Sequence, residues 1–464
     1  MTFSSTADLK AAVAATRFGL GARPGEIALA RHDPHGWLQA QISPNGADQP
    51  QAGGGGVLAG TPESYQAFLA YRAAINAAGQ DPMARKAARQ PLDDALAQEV
   101  LARAWLAAVT PSPFRERWAL FWGNHFTVSL MKGEDVGATA AAFEREAIRP
   151  HVFGRFADLL SASSRHPAML MYLDQQNSIG PSSPAGLKRK NSGLNENLGR
   201  EIMELHSLGV DAGYSQGDVT EFARALTGWS MGGPGAAVEQ QGTFLYQQPY
   251  HEPGERRVFG KVYASGQERQ AQAALDDFAA SPHTARHIAH KLAVHFVADD
   301  PPPALIARLE AAYRSSDGDL AQVANALISA PEAWEPAAHK LKTPYEFLIS
   351  SHRAAGTGPT DAHKDVLGPL GGFGHRPFAA PQPNGWSDAA ADWAAPDAII
   401  KRVTFAQGFA NAHAPKAGGP APAQVAQESL GARLAPATLT AVQRAESRPE
   451  AFAILLMSPE FQRR

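Results

Sequence analysis

The chain has 464 residues, 44% of them hydrophobic, with 42 Lys and Arg against 45 Asp and Glu, a net charge of -3. That length exceeds what one growing core usually accommodates, so one large domain with insertions or two fused lobes is expected. A near-neutral balance gives no electrostatic basis for nucleic-acid or anionic-membrane binding, and no run reaches the roughly 20 apolar residues that span a bilayer. Cysteine is absent, which removes disulfides, thiol catalysis, zinc knuckles and iron–sulfur clusters; any metal must sit on His, Asp, Glu, Asn or backbone oxygen.

In chain order, Leu9, Val13 and Phe18 mark one short helix and Ile27 and Leu29 a second, with Arg23-Pro24-Gly25 between them. Residues 1–43 are thus an N-terminal helical segment, followed by a flexible linker over 44–60 that carries Gly53 to Gly56. From 61 to about Val109 the chain is Ala-rich with helical spacing; Pro111 and Pro113 end it, and Phe114 to Phe121 opens an aromatic helix. Helical patterns then fit 137–149, 152–163 and 166–175, and Pro/Ser/Gly/Lys composition makes 181–193 a loop.

Asn195 to Leu208 and Asp218 to Thr227 read as helices, with Gly209 just past the first and Asp218 as N-cap of the second. Thr243 to Tyr246 and Arg257 to Tyr263 have strand composition around the turn His251-Glu-Pro-Gly-Glu255, and are read as one hairpin inserted between helices. Helices resume at 266–280, 283–297, 302–314, 317–329 and 342–354. A Gly/Pro/Trp loop covers 368–393, and helices near 397–411, 436–445 and 448–457 close the chain. The expectation is a mainly α protein: one helical domain over 61–464 with a small β-hairpin near 243–263.

Several stretches together resemble one bacterial family, domain of unknown function 1800. They are Arg17-Phe-Gly19, Trp122-Gly-Asn-His-Phe126, Asn195-Glu-Asn-Leu-Gly-Arg-Glu-Ile-Met-Glu-Leu-His-Ser-Leu-Gly-Val210, Asp218-Val219 and Ala223-Arg-Ala-Leu-Thr-Gly-Trp229. His251-Glu-Pro-Gly254, Lys291-Leu292, His295-Phe296, Lys342-Thr-Pro344 and Pro383-Asn-Gly-Trp386 complete the set. The resemblance covers nearly the whole chain and implies a mostly helical fold, often in exported proteins, with no settled activity. Glu252 stands where the family pattern has Asp. The first residues lack a basic stretch followed by an apolar one, so the sequence as written reads as cytoplasmic, with a periplasmic or secreted location by analogy with relatives.

On a helix of about 100° per residue, Asn197, Arg200, Glu201 and Glu204 fall on one face, whereas His206 lies about 140° from Glu201 on an apolar side. Two carboxylates one turn apart repel, and burial would raise one pKa and make it a general acid; the competing reading pairs them with Arg200 or Arg224 in a structural network. His125, oriented by Asn124, is either a base or a core imidazole bonded to a carbonyl. His251 and Glu252 either act from a rigid turn or cap the hairpin. Trp229 and Trp386 offer flat faces for a sugar or plug the core. His283, His287 and His290 form one stripe, a possible ligand set or a solvated face. No phosphate-binding Gly loop, Gly-x-Ser-x-Gly elbow or His-Glu-x-x-His is present.

These residues lead to an expected hydrolase acting on a polar polymer such as a glycan, with Glu201, Glu204, His251, Glu252 and His125 catalytic, and Asn124, Asn197, Arg200, Arg224, Trp229 and Trp386 binding substrate. The alternatives are a carboxylate/His metal-binding oxidoreductase and a non-catalytic binding or scaffold protein. A divalent metal is compatible but not required. The partner is a small-molecule or polymer substrate, with neither nucleic acid nor membrane.

Overall fold

The computed structural model describes residues 6–188 and 193–464. The two strand-like stretches of the sequence do not pair with each other. β1 (Trp229–Met231) pairs antiparallel with β2 (Phe244–Tyr246), placing Trp229 opposite Tyr246. β3 (Arg256–Val258) pairs with β4 (Lys261–Tyr263) as a tight hairpin. The insertion near 243–263 therefore contains a hairpin, but a shorter one than expected, and its first strand-like stretch belongs to the corner after the Gln216–Leu226 helix. Everything else described is helix, turn or loop, and among the described residues no helix is long and apolar enough to cross a membrane.

Aromatic side chains organise the main core. On the Pro113–His125 helix, Phe114, Trp118 and Trp122 follow a four-residue spacing and are fully buried. Trp118 stacks on Phe153 at 5.9 Å, and Phe114 meets both Phe18 and Phe296. Each such side chain removes about 150–250 Å² from water, on the order of 4–6 kcal/mol of gross burial for a Trp. A second cluster around Phe347, Phe409, Phe452 and Phe461 forms where the Pro344–Ala355 helix meets the C-terminal helices. The chain end is stitched in: Lys342 N–H donates to Gln462 O and Arg464 N–H to Lys340 O, each at 2.9 Å.

The Ala-rich stretch is two helices, Thr61–Ala78 and Pro82–Val109, broken at Gly79, with Asp81 capping the second. The Gln216–Leu226 helix begins one turn earlier than expected: Ser215 is the N-cap and Asp218 sits at N3, completing a reciprocal capping box. A helix at Pro422–Leu430 was not apparent in the sequence pattern. Residues 44–60 are pinned rather than loose at their flanks. Ala47 N–H donates to Arg149 O, Asp48 pairs with Arg115, and Ala52 and Leu58 pack on Ala102, while Gly53 to Val57 form an exposed run between them.

Among the described residues four π turns interrupt the helical rhythm, at Ala14–Phe18, Glu144–Ile148, Ile202–His206 and Ala362–Leu367. A π turn shifts the hydrogen-bond ladder and frees carbonyls, a geometry frequent at functional sites. Buried donors take them here: Arg117 Nη1 reaches Arg17 O at 2.8 Å, and Ser207 Oγ reaches Ile202 O at 2.5 Å.

Candidate functional site

The block Asn195–Val210 folds as a short helix, Asn197–Glu201, followed by the π turn. Glu201 and Glu204 are half-buried and make no hydrogen bond or ion pair among the described residues. The cations expected to hold them are engaged elsewhere: Arg200 with Glu196 at 3.1 Å, and Arg224 with Glu221. Burial raises the Glu201 carboxyl above its ordinary range and the neighbouring Glu204 charge adds to the shift. Nearby, burial and then the Glu201 charge push Tyr172 up to about 12. Asn197 is exposed.

His251 and Glu252 lie apart from that pair and act as a staple. His251 Nδ1 donates to Thr227 O at 2.8 Å, Thr227 Oγ1 accepts from Glu252 N–H at 2.8 Å, and Glu252 Oε2 accepts from Ser182 N–H at 2.7 Å. The turn thereby fastens the corner before β1 to the loop containing Gly180, which approaches so closely that a Cβ there would meet Glu252 Oε2 at 2.5 Å. Trp229 is fully buried, with Arg165 over its ring, so it closes the core rather than offering a face to a sugar.

His125 belongs to a third place. Its Nε2 donates to His206 O at 3.1 Å, and His287 Nε2 donates to Leu205 O at 3.1 Å, so two imidazoles satisfy the last carbonyls of the π turn. With both rings protonated at Nε2, the buried Nδ1 of His125 is left as a lone pair without a partner, and Nδ1 of His206 likewise has no partner. Burial holds all three imidazoles neutral, His206 down to about 3 and His287 to about 4, and the charge of Lys291 adds to each shift. The proposed stripe divides: His283 and His290 are exposed, while His287 turns inward. Among the described residues no three His, Asp or Glu side chains are placed to hold a metal ion.

Among the described residues no hydrogen bond or ion pair joins the predicted catalytic side chains of these three segments to one another, although His125 holds the turn that carries Glu204. Other residues do converge. Arg117, on the aromatic helix, donates to Arg17 O and Gly19 O, pairs with Glu346 at 2.9 Å and donates from Nε to His295 Nε2 at 3.3 Å. His295 in turn donates from Nδ1 to Asp388 at 2.7 Å. Burial lowers His295 to about 4, and His295 together with Lys340 helps hold Asp388 at about 2 despite its burial. Asn124 grips the loop before Asp388 in both directions: its amide donates to Trp386 O at 2.9 Å and its carbonyl accepts from Trp386 N–H at 2.8 Å. Its side-chain hydrogen-bonding groups are therefore engaged in positioning the loop.

This junction separates two hollows. Inside lies a cavity of about 120 Å³ walled by Arg117, Glu346, Arg103, Glu144, Tyr345 and Trp386, in which the Tyr345 hydroxyl is buried without a partner. Outside lies an open cleft of about 620 Å³ between the Pro282–Phe296 helix and residues 381–393. Asn124, Trp386, Ser387 and Asp388 border both hollows, and Lys291, Asn384 and Trp393 complete the cleft. Lys291 is half-buried and makes no hydrogen bond or ion pair among the described residues. Burial pushes its ammonium down to about 8, opposed only in part by Asp388.

Lys291, His295 and Asp388 were not singled out as site residues from the sequence. A signal was present: Lys291 and His295 sit one turn apart in the otherwise apolar run Leu292-Ala-Val and Phe296, where a solvated charge is out of place. No curated protein and no solved structure matches the chain. The family model described as "Protein of unknown function (DUF1800)" matches residues 13–463, and the chain belongs to that family.

Proposed function

We propose that the chain is a hydrolase acting on a polar polymer, and that its chemistry resides in the cleft between the Pro282–Phe296 helix and the 381–393 loop. The observation that carries this reading is Lys291, an unpaired amine with a pKa of about 8 on the cleft wall. An amine in that range exchanges a proton near neutral pH and serves as a general acid or base. Asp388, held ionised by His295, supplies a fixed negative charge beside it. Trp386, half-buried at the edge of the cleft, offers an aromatic face to a sugar ring, with the buried Trp393 behind it at a ring-centroid distance of 6.1 Å.

A second reading keeps the acid at Glu201, supported by its raised pKa and lack of an ion pair. The two are separated by replacing Lys291 with Ala, Asp388 with Asn, and Glu201 with Gln, and assaying hydrolysis of a panel of polysaccharides and chromogenic glycosides and esters. The first reading expects Lys291→Ala and Asp388→Asn to lower kcat/KM at least about 100-fold, in line with loss of a general acid or base, with Glu201→Gln near native. Competitive acetylation followed by mass spectrometry is a check independent of any substrate: Lys291 should titrate near pH 8. If Lys291 titrates like an exposed lysine, the cleft reading fails.

A further inference from the structure

A third hollow is built from residues 352–413, apart from the aromatic helix. It is a groove of about 570 Å³ between the Pro396–His413 helix and residues 364–373, within the size range of small-molecule sites. Phe373, Phe405 and Phe409 line it, with adjacent ring centroids 5.6 and 5.5 Å apart. Ile400, two-thirds exposed, stands at its mouth. An apolar wall of this kind is ordinary. The polar group set into it is not.

His352 reaches the groove from the Pro344–Ala355 helix and is completely buried. Its ring lies edge-on to Phe409 at 4.8 Å and 5.1 Å from His413. His352 Nδ1 is hydrogen-bonded to Thr357 Oγ1 at 3.2 Å, whereas Nε2 has no partner. A buried nitrogen without a partner is costly, and His352 is among the residues that line the groove. The Thr357 hydroxyl either donates to Nδ1 or accepts from it, so Nε2 is a donor in one tautomer and an acceptor in the other. A ligand hydroxyl, which both donates and accepts, satisfies Nε2 in either case. A carboxylate satisfies only the donor form, and its desolvation against neutral imidazoles is unfavourable. Lys364 and Lys401 are exposed cations at the rim, already near Asp361 and Asp397.

We infer that this groove binds a neutral aromatic compound bearing one hydroxyl, its rings between Phe373, Phe405 and Phe409 and its hydroxyl on His352 Nε2. The probes are 2-naphthol, naphthalene and 2-naphthoate, titrated into the full-length protein with binding followed by competition fluorescence. We expect 2-naphthol to bind at least about tenfold more tightly than naphthalene, the worth of one buried hydrogen bond. His352→Phe should abolish that preference while retaining naphthalene binding, and Phe405→Ala should weaken both. In native protein labelled with 15N-histidine, 2-naphthol should shift the His352 Nε2 resonance, a readout that does not depend on the variants folding. Equal affinity for naphthol and naphthalene, no binding of either, an unmoved Nε2 resonance, or tightest binding of naphthoate would each overturn the assignment.

Discussion

Lys291 illustrates how one side chain reveals tension between stability and use. An ammonium placed where no carboxylate or carbonyl receives it costs folding free energy, and a position that keeps such a group is a candidate for function. The folded pKa of about 8 lies below the ordinary lysine value of 10.5. The folded chain therefore gives up this proton before the unfolded one, so the penalty is present in full below pH 8 and disappears between pH 8 and 10.5. Lys291→Met should accordingly raise stability by about 2 kcal/mol at pH 7, with the gain fading by pH 10.5. Thermal melts of both proteins at pH 7 and pH 10 check this. A variant no more stable than the native chain at pH 7 would show that the amine carries no penalty.

Among the elements, the π turn Ile202–His206 does the most to set the geometry around His125. Three residues past its end Gly209 adopts φ +86°, a backbone state that favours glycine, and a Cβ at Gly209 would approach His287 Nδ1 to 2.9 Å. Gly209→Ala should destabilise the protein by about 2 kcal/mol or more, since strain and crowding act together. Urea denaturation measures it, and a loss below about 0.5 kcal/mol would mean that the turn relaxes freely. How much of this element was legible is instructive. The periodicity of 195–208 marks a helix and places His206 on a more buried face than Glu201, which the fold retains, but the element spans only Asn197 to His206 and is capped at Ser207 rather than Gly209. The switch from α to π hydrogen bonding was not legible, because it depends on Ser207, His125 and His287 being present to take the freed carbonyls. Similarly, strand composition at 243–246 was correct, but its partner is 229–231, since pairing is decided by what the preceding corner brings alongside.

At the scale of the whole molecule, buried neutral imidazoles link folding to pH. His206 and His375 are lowered to about 3, and His287 and His295 to about 4, by burial. Each folded pKa lies below the ordinary value of 6.5, so as pH falls the unfolded chain takes up protons first. Stability from these groups is complete above pH 6.5 and is lost progressively from there toward pH 3. The melting temperature should fall steeply between pH 6.5 and 4, and less steeply in His287→Gln, which keeps a donor for Leu205 O but cannot titrate. A melting temperature flat across that window would contradict the burial of these rings.

Composition and periodicity by themselves determined the helical class and most helix positions, which follow from local spacing, and the resemblance to the family rested on motifs contiguous in the chain. That Glu201, His251 and His125 make separate contacts was beyond their reach. So was the meeting of Arg117, His295, Asp388 and Trp386, which come from three segments and touch only after the aromatic core has closed. Which polar side chains share a hollow is set by how helices cross, and crossing depends on the summed packing of residues hundreds of positions apart. Only the tertiary structure could decide that Lys291 faces an open cleft while Trp229 faces none.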